Sequence, residues 1–153
     1  MEPGQFQAIA ELQCLQNSTP KIKMKYVPVL GRVLFSIVFL VFGLAHFADT
    51  QTMLESGAVP SFLPMKTVVI YLTGIVIVGG GVAVLLGYRT KQAALALGVM
   101  MLGTAFLTWM PQLADGGMVE MGNFMKDMSL AGAALLISHF GAGPMSMDAR
   151  STD

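Results

Sequence analysis

The chain has 153 residues, 54% hydrophobic and 12% charged, with nine basic and nine acidic side chains and a formal net charge of zero. A soluble domain of this size can hide one wholly apolar helix, but the sequence holds four apolar stretches, so an ordinary soluble fold is excluded. The balanced charge, with no zinc-finger spacing and no aromatic ladder, points away from a nucleic-acid partner.

Residues 1–25 are mostly polar. The opening MEPGQFQAIAELQCLQNSTP has neither the basic start nor the sustained apolar core of a signal peptide. Phe6, Ile9 and Leu12 would give a weak amphipathic surface helix, and the alternative is a disordered cytoplasmic extension. Met1 and Met24 are both candidate starts. Lone Cys14 cannot form a disulfide within the chain, so no dithiol redox pair is available.

The first apolar stretch is Val27–Ala48. A helix crosses the hydrocarbon core, about 30 Å thick, with about 20 residues. Pro28 falls in the first turn, where a missing donor costs little. Phe35, Phe39, Phe42 and His46 recur at helical spacing, which predicts one face with three packing rings and a histidine at its end. The next segment, DTQTMLESGAVPSFLPM over 49–65, is broken by Gly57, Pro60 and Pro64. Leu54, Val59, Phe62 and Leu63 make it too apolar for a wet loop. It reads as a re-entrant or interfacial lid over the outward end of the helices.

The second stretch is Thr67–Leu86, where Gly79, Gly80 and Gly81 permit close approach by a neighbour. In the third, Ala93–Met110, Ala94 and Gly98 lie four residues apart, the spacing of tight packing in membranes. Trp109 at its end reads as an interfacial belt anchor. Segment 111–123 reads as a loop with Pro111, Gly116, Gly117 and Gly122. Asn123 is the expected cap of a fourth helix over Phe124–Phe140, which Lys126 and Asp127 open. Gly141, Gly143 and Pro144 stop that helix, and the tail MSMDARSTD reads as flexible.

Basic residues near span ends mark the cytoplasmic side. Lys21, Lys23, Lys25 and Arg32 flank the first stretch, and Arg89 and Lys91 sit between the second and third. The sequence therefore predicts an all-α integral membrane four-helix bundle with both termini in the cytoplasm. Its parts are an extension (1–25), a transmembrane domain (26–140) and a tail (141–153). The expected location is the cytoplasmic (inner) membrane of a bacterium or archaeon, with membrane lipids as immediate neighbours.

This topology gathers polar residues in the outward half: His46, Asp49, Lys66, Tyr71, Thr104, Thr108, Asn123, Lys126 and Asp127. Ionisable groups within apolar spans are costly and usually face a cavity or a partner. The candidate ligand-binding residues are His46, Tyr71, Thr108, Asn123, Lys126 and Asp127. Each has a structural alternative. Lys126 can pair with a loop carboxylate or snorkel to the interface, with His46 and Glu55 as further candidate contacts. His46 can bond between helices, or meet a quinone carbonyl and shuttle a proton. Asp127 can pair with Lys126 or serve as a base. Arg32, at the opposite end, reads as an orientation anchor that grips lipid phosphate or the tail carboxylates. His46 and His139 lie near opposite faces and cannot share a haem in one bundle. There is no HExxH pattern, no specific serine–histidine–acid arrangement, and little room in a monomer for a gated two-sided path.

The run GRVLFSIVFLVFGLAHF resembles the first helix of the DoxX family, with an arginine entering and Gly43 and His46 leaving. The resemblance continues through the proline-containing outer loop, Gly87 before the short basic loop, and NFMKDMSLAGAALLI; it covers about Arg32 to Phe140. It implies a small four-helix membrane subunit associated with redox systems. The namesake group resembles a subunit of thiosulfate:quinone oxidoreductase, and other relatives resemble membrane partners of sulfur-transfer, oxidative-stress or assembly proteins. Some wider relatives carry a CxxC dithiol that this chain lacks, which argues against disulfide relay. Three readings follow. The chain is an accessory or scaffold subunit of a redox complex and not catalytic alone; or it handles a quinone, the one cofactor in view; or it binds a lipid or small hydrophobic solute. Its expected protein partners are other membrane-complex subunits or further copies of itself.

Overall fold

A computed structural model describes residues 26–60, 62–143 and 145–150, and every element among them is helical. The expected extension 1–25 lies outside the described residues. In chain order the helices are α1 (Val27–Ala48), α2 (Thr50–Glu55), α3 (Lys66–Leu86), α4 (Thr90–Thr104), α5 (Met110–Gln112), α6 (Met118–Phe140) and α7 (Met147–Arg150). A π-turn, Ala105–Trp109, joins α4 to α5, and a 3-10 turn, Leu113–Asp115, follows.

Helix α1 packs along α3, α4 packs along α6, and α3 meets α4 between the two pairs. The core is Phe35 and Phe39 from α1, Ile77 and Val84 from α3, Ala94, Leu97 and Met101 from α4, and Ala131 and Ala134 from α6. Small residues set the spacing. A Cβ on Gly98 would stand 3.1 Å from the Ala134 Cβ, and one on Gly80 would stand 2.8 Å from Leu97. Of the predicted glycine triplet, Gly80 and Gly81 lie at helix contacts, whereas Gly79 faces open space.

Much of the outer surface is apolar. Leu30, Leu34, Val41 and Leu44 of α1 and Leu72 and Ile75 of α3 are exposed. Three helical stretches are long and apolar enough to cross a membrane: Val27–Ala48, Lys66–Leu86 and Thr90–Gln112. Helix α6 matches them in length, but Glu120, Lys126 and Asp127 make it more polar.

Several elements differ from expectation. The predicted loop 111–123 is largely helical. Gly116, at φ +76°, ends the 3-10 turn, and extended Gly117 caps α6, which therefore starts at Met118 with Glu120 in its first turn. An acidic side chain there complements the positive end of the helix dipole. Asn123 lies inside the helix and is not its cap. In the outer segment, α2 adds a short helix, and Val59 is buried. Gln112 Nε2 of α5 ties this segment to the π-turn, donating to Gly57 O at 3.2 Å and to Thr108 O at 2.7 Å.

The tail, read as flexible, folds back over residues 145–150. Arg89 N–H and Thr90 N–H donate to the two Asp148 carboxylate oxygens at 2.7 and 2.9 Å, and Asp148 N–H donates to Gly87 O at 2.8 Å. Arg89 itself sits at φ +44°, a left-handed conformation that costs a non-glycine residue about 1–2 kcal/mol. Gly87, at φ +72°, lies so close to Arg32 and Ser146 that any side chain would collide with both. Arg32 is buried and donates to Met145 O at 3.2 Å. Arg32 thus meets the tail, through a backbone carbonyl where a tail carboxylate was the expected contact. Burial pushes the Asp148 carboxyl up, but hydrogen bonding from Thr90 and Arg89 and the Arg32 charge outweigh it and hold the group below its ordinary value.

Candidate functional site

At the opposite end, Asp127 of α6 is only 4% exposed. A buried carboxylate needs donors, and the end of α4 and the π-turn after it supply one each. Thr104 Oγ1 lies 2.9 Å and Trp109 Nε1 3.0 Å from the same oxygen, Oδ2. The Thr104 hydroxyl also lies 3.0 Å from Met101 O, so its hydrogen has two acceptors. In a regular α-helix, residues five apart point about 140° from one another. The π-turn closes its hydrogen bonds at that five-residue spacing and brings Thr104 and Trp109 to one side. Trp109 is thus not simply the belt anchor that its position at a span end predicts; its indole points inward to Asp127.

The other Asp127 oxygen, Oδ1, faces Lys126 Nζ at 3.6 Å. The same ammonium lies 4.4 Å from the centroid of the Phe42 ring, a cation–π contact that turns Lys126 toward α1. His46, one turn beyond Phe42, places Nδ1 2.7 Å from Phe42 O, and its own carbonyl accepts from Thr50 Oγ1 at 2.9 Å.

These groups surround a cavity of about 270 Å³. Phe39, Phe42, Ile77, Met101 and Leu130 form apolar walls, and Met53, Ser56 and Ala58 of the outer segment lie over it. The polar lining is His46, Thr104, Trp109, Asn123, Lys126 and Asp127. A second cavity of about 250 Å³ shares His46, Met53, Ala58, Ile77 and Thr104 and runs on toward Leu63 and Thr108.

The structure therefore brings four of the six sequence-selected residues, His46, Asn123, Lys126 and Asp127, to one chamber. Thr108 is buried and lines the adjoining cavity. Tyr71 is elsewhere: it is 41% exposed and stacks against Phe47, with ring centroids 5.8 Å apart. Glu55 lines neither cavity. Sequence reasoning placed Thr104 at this end without selecting it, and gave Trp109 no polar role. Their spacing carries no α-helical signal for a shared face. Among the described residues, no group of three His, Cys, Asp or Glu side chains could hold a metal ion.

The chamber offers donors from Lys126 and the Asn123 amide, and acceptors from His46 and the Asn123 carbonyl, against apolar walls. That combination suits the polar head of a lipophilic molecule.

The DoxX family model matches residues 27–110, from α1 through the π-turn. The inner membrane protein YqjF of Escherichia coli (strain K12) is 36% identical over 130 residues, which cover 82% of this chain and 93% of the relative. The inner membrane protein YphA of the same organism is 28% identical over 128 residues, covering 80% and 88%. No solved structure matches the chain. The three membrane-length apolar helices and these relatives make it a multi-pass protein of the cytoplasmic (inner) membrane. The chain belongs to the DoxX family.

Proposed function

We propose that this protein is an accessory membrane subunit of a redox-associated assembly, and that its own contribution is to receive the head of a quinone-type lipophile in the chamber. The supporting observation is the convergence of His46, Asn123, Lys126 and Asp127, from two helices distant in sequence, on one cavity with apolar walls. Polar groups that served only to lock helices together would saturate one another. Asp127 Oδ2 has two donors, but among the described residues no hydrogen bond engages the Asn123 amide, and Lys126 keeps donor capacity beyond its ion pair. In this reading α6 is a fourth span whose charged residues turn inward, as costly intramembrane charges do. Arg32, Arg89 and Lys91 set the opposite end in the cytoplasm, so the chamber lies in the outward half and both termini face in. With one cysteine in the chain there is no internal dithiol to cycle, and in this reading a partner subunit supplies the electrons.

Trp109 is the chain's single tryptophan and lines the chamber, so quinone entry has a built-in reporter. Full-length protein in phosphatidylcholine nanodiscs should show saturable quenching of Trp109 fluorescence by a short-tailed benzoquinone. Lys126→Met should weaken binding about 10-fold or more, the value of a charge-assisted hydrogen bond. Tyr71→Phe should leave it unchanged. Absence of saturable quenching would reject the chamber as a quinone site and leave the scaffold role. Native mass spectrometry of the complex from its own membranes tests the accessory role: a stoichiometric partner is expected, and its absence would reject that role.

A further inference from the structure

We infer that the chamber selects a lipophile whose aromatic head carries a hydroxyl, a phenol or a reduced quinol, and that His46 Nε2 accepts that hydrogen; this rests on reading the chamber as a ligand site. The argument begins at Phe42. Its carbonyl oxygen lies 2.7 Å from His46 Nδ1, and a carbonyl can only accept, so Nδ1 carries the hydrogen. A neutral imidazole has one such hydrogen, which leaves Nε2 as a bare lone pair. No hydrogen bond among the described residues engages Nε2, and the ring lines both cavities.

The other strong acceptor in the chamber, Asp127, is already engaged at both oxygens. Asp127 Oδ2 takes Thr104 and Trp109, and Oδ1 faces Lys126. A ligand entering the chamber thus meets His46 Nε2, an acceptor that no donor among the described residues engages, together with the Lys126 ammonium and the two-sided Asn123 amide. A head with two carbonyls suits the donors but sets an oxygen lone pair against the Nε2 lone pair. A head with a hydroxyl suits both, donating to Nε2 and accepting from Lys126 or Asn123. The fixed tautomer therefore favours the reduced, hydroxylated form over the oxidised one, and an aromatic ring fits beside Phe42 and Trp109.

The test uses a matched pair, a para-alkylphenol and its methyl ether with the same tail. The two differ only in the hydrogen offered. Each competes against the benzoquinone that quenches Trp109, with full-length protein in phosphatidylcholine nanodiscs. The phenol should displace the quencher at about 3- to 10-fold lower concentration than the ether, the range of one net hydrogen bond. His46→Phe should erase that ratio, and Asn123→Leu should keep it. Equal displacement by phenol and ether would overturn the inference while leaving the quinone reading intact. A same-tail aliphatic alcohol that competes as well as the phenol would overturn the aromatic choice. No saturable quenching at all would reject the underlying reading, and the inference with it. If His46→Phe fails to fold, the wild-type comparison of phenol with ether decides alone.

Discussion

Replacing Asp148 by alanine should open the end of the molecule opposite the chamber. The carboxylate holds Arg89 N–H at 2.7 Å and Thr90 N–H at 2.9 Å. These amides begin α4 and have no acceptor within the helix. Loss of a capping side chain costs about 1 kcal/mol, and a hydrogen bond to a charged group is worth about 1.5–3 kcal/mol. Water recovers part of the loss at this half-buried site, so a local cost of about 2 kcal/mol follows, or about a 30-fold rise in opening. Hydrogen exchange on the full-length protein in nanodiscs reads this at the Arg89 and Thr90 amides. Asp148→Asn keeps the shape and one acceptor, so it should fall between wild type and alanine. The bond also has a pH window. Hydrogen bonding and the Arg32 charge outweigh burial and hold the folded carboxyl below its ordinary value. A depressed carboxyl contributes stability above its unfolded value, about 3.9, and loses it as pH falls through the folded value. Protection at these two amides should therefore be complete at neutral pH and fade only in strong acid. Exchange in Asp148→Ala within twofold of wild type would refute the docked tail.

Two further substitutions test the packing. The Ser36 hydroxyl is fully buried and has no hydrogen-bond partner among the described residues. Ser36→Ala should therefore be neutral or stabilising by up to about 1 kcal/mol in thermal unfolding, and a clear loss would contradict the orphaned hydroxyl. Gly74→Ala would set a methyl 2.9 Å from His46 Cβ and 3.0 Å from the Phe47 ring. Overpacking of that kind costs about 1–3 kcal/mol, and because it pushes His46, it should also lower benzoquinone affinity. An unchanged melting temperature with unchanged quenching would refute the close contact of α1 and α3.

How much of this was legible depended on range in sequence. The stripe of Phe35, Phe39, Phe42 and His46 obeys a local period, and α1 follows it. Phe35 and Phe39 enter the core, and Phe42 and His46 reach the chamber. The positions of Asn123, Lys126 and Asp127 followed from their place at one end of the chain's last long apolar segment. The start of α6 did not. Asn123 is a good cap by type, but the chain had already reversed at Gly116, whose positive φ decides where the helix begins. The folded tail was hidden for a similar reason. Asp148 caps a helix 58 residues earlier in the sequence, and nothing local in MSMDARSTD marks it as a cap.

The hardest feature to foresee was the one on which the chamber depends. An aspartate placed in an apolar helix has three outcomes: it turns to water, loses its charge, or finds donors. Its neighbour Lys126 is close enough for an ion pair, yet an ion pair at 3.6 Å leaves Oδ2 unsatisfied. Helix α4 completes the set only because its path lengthens from α to π at Ala105–Trp109, which turns an indole and a hydroxyl five residues apart to the same oxygen. A regular helix there would offer one donor and turn the other away. Thr104 and Trp109 thus hold Asp127 Oδ2, and Lys126 pairs with Oδ1, which ties the carboxylate to the chamber wall. The remaining polar atoms, on His46, Asn123 and Lys126, then decide what the chamber holds. The π-turn is therefore part of the site: Thr104→Val, which removes one of the two donors that the turn brings together and keeps Trp109, should free Asp127 Oδ2 to compete for the ligand's hydrogen and blunt the discrimination that His46 provides.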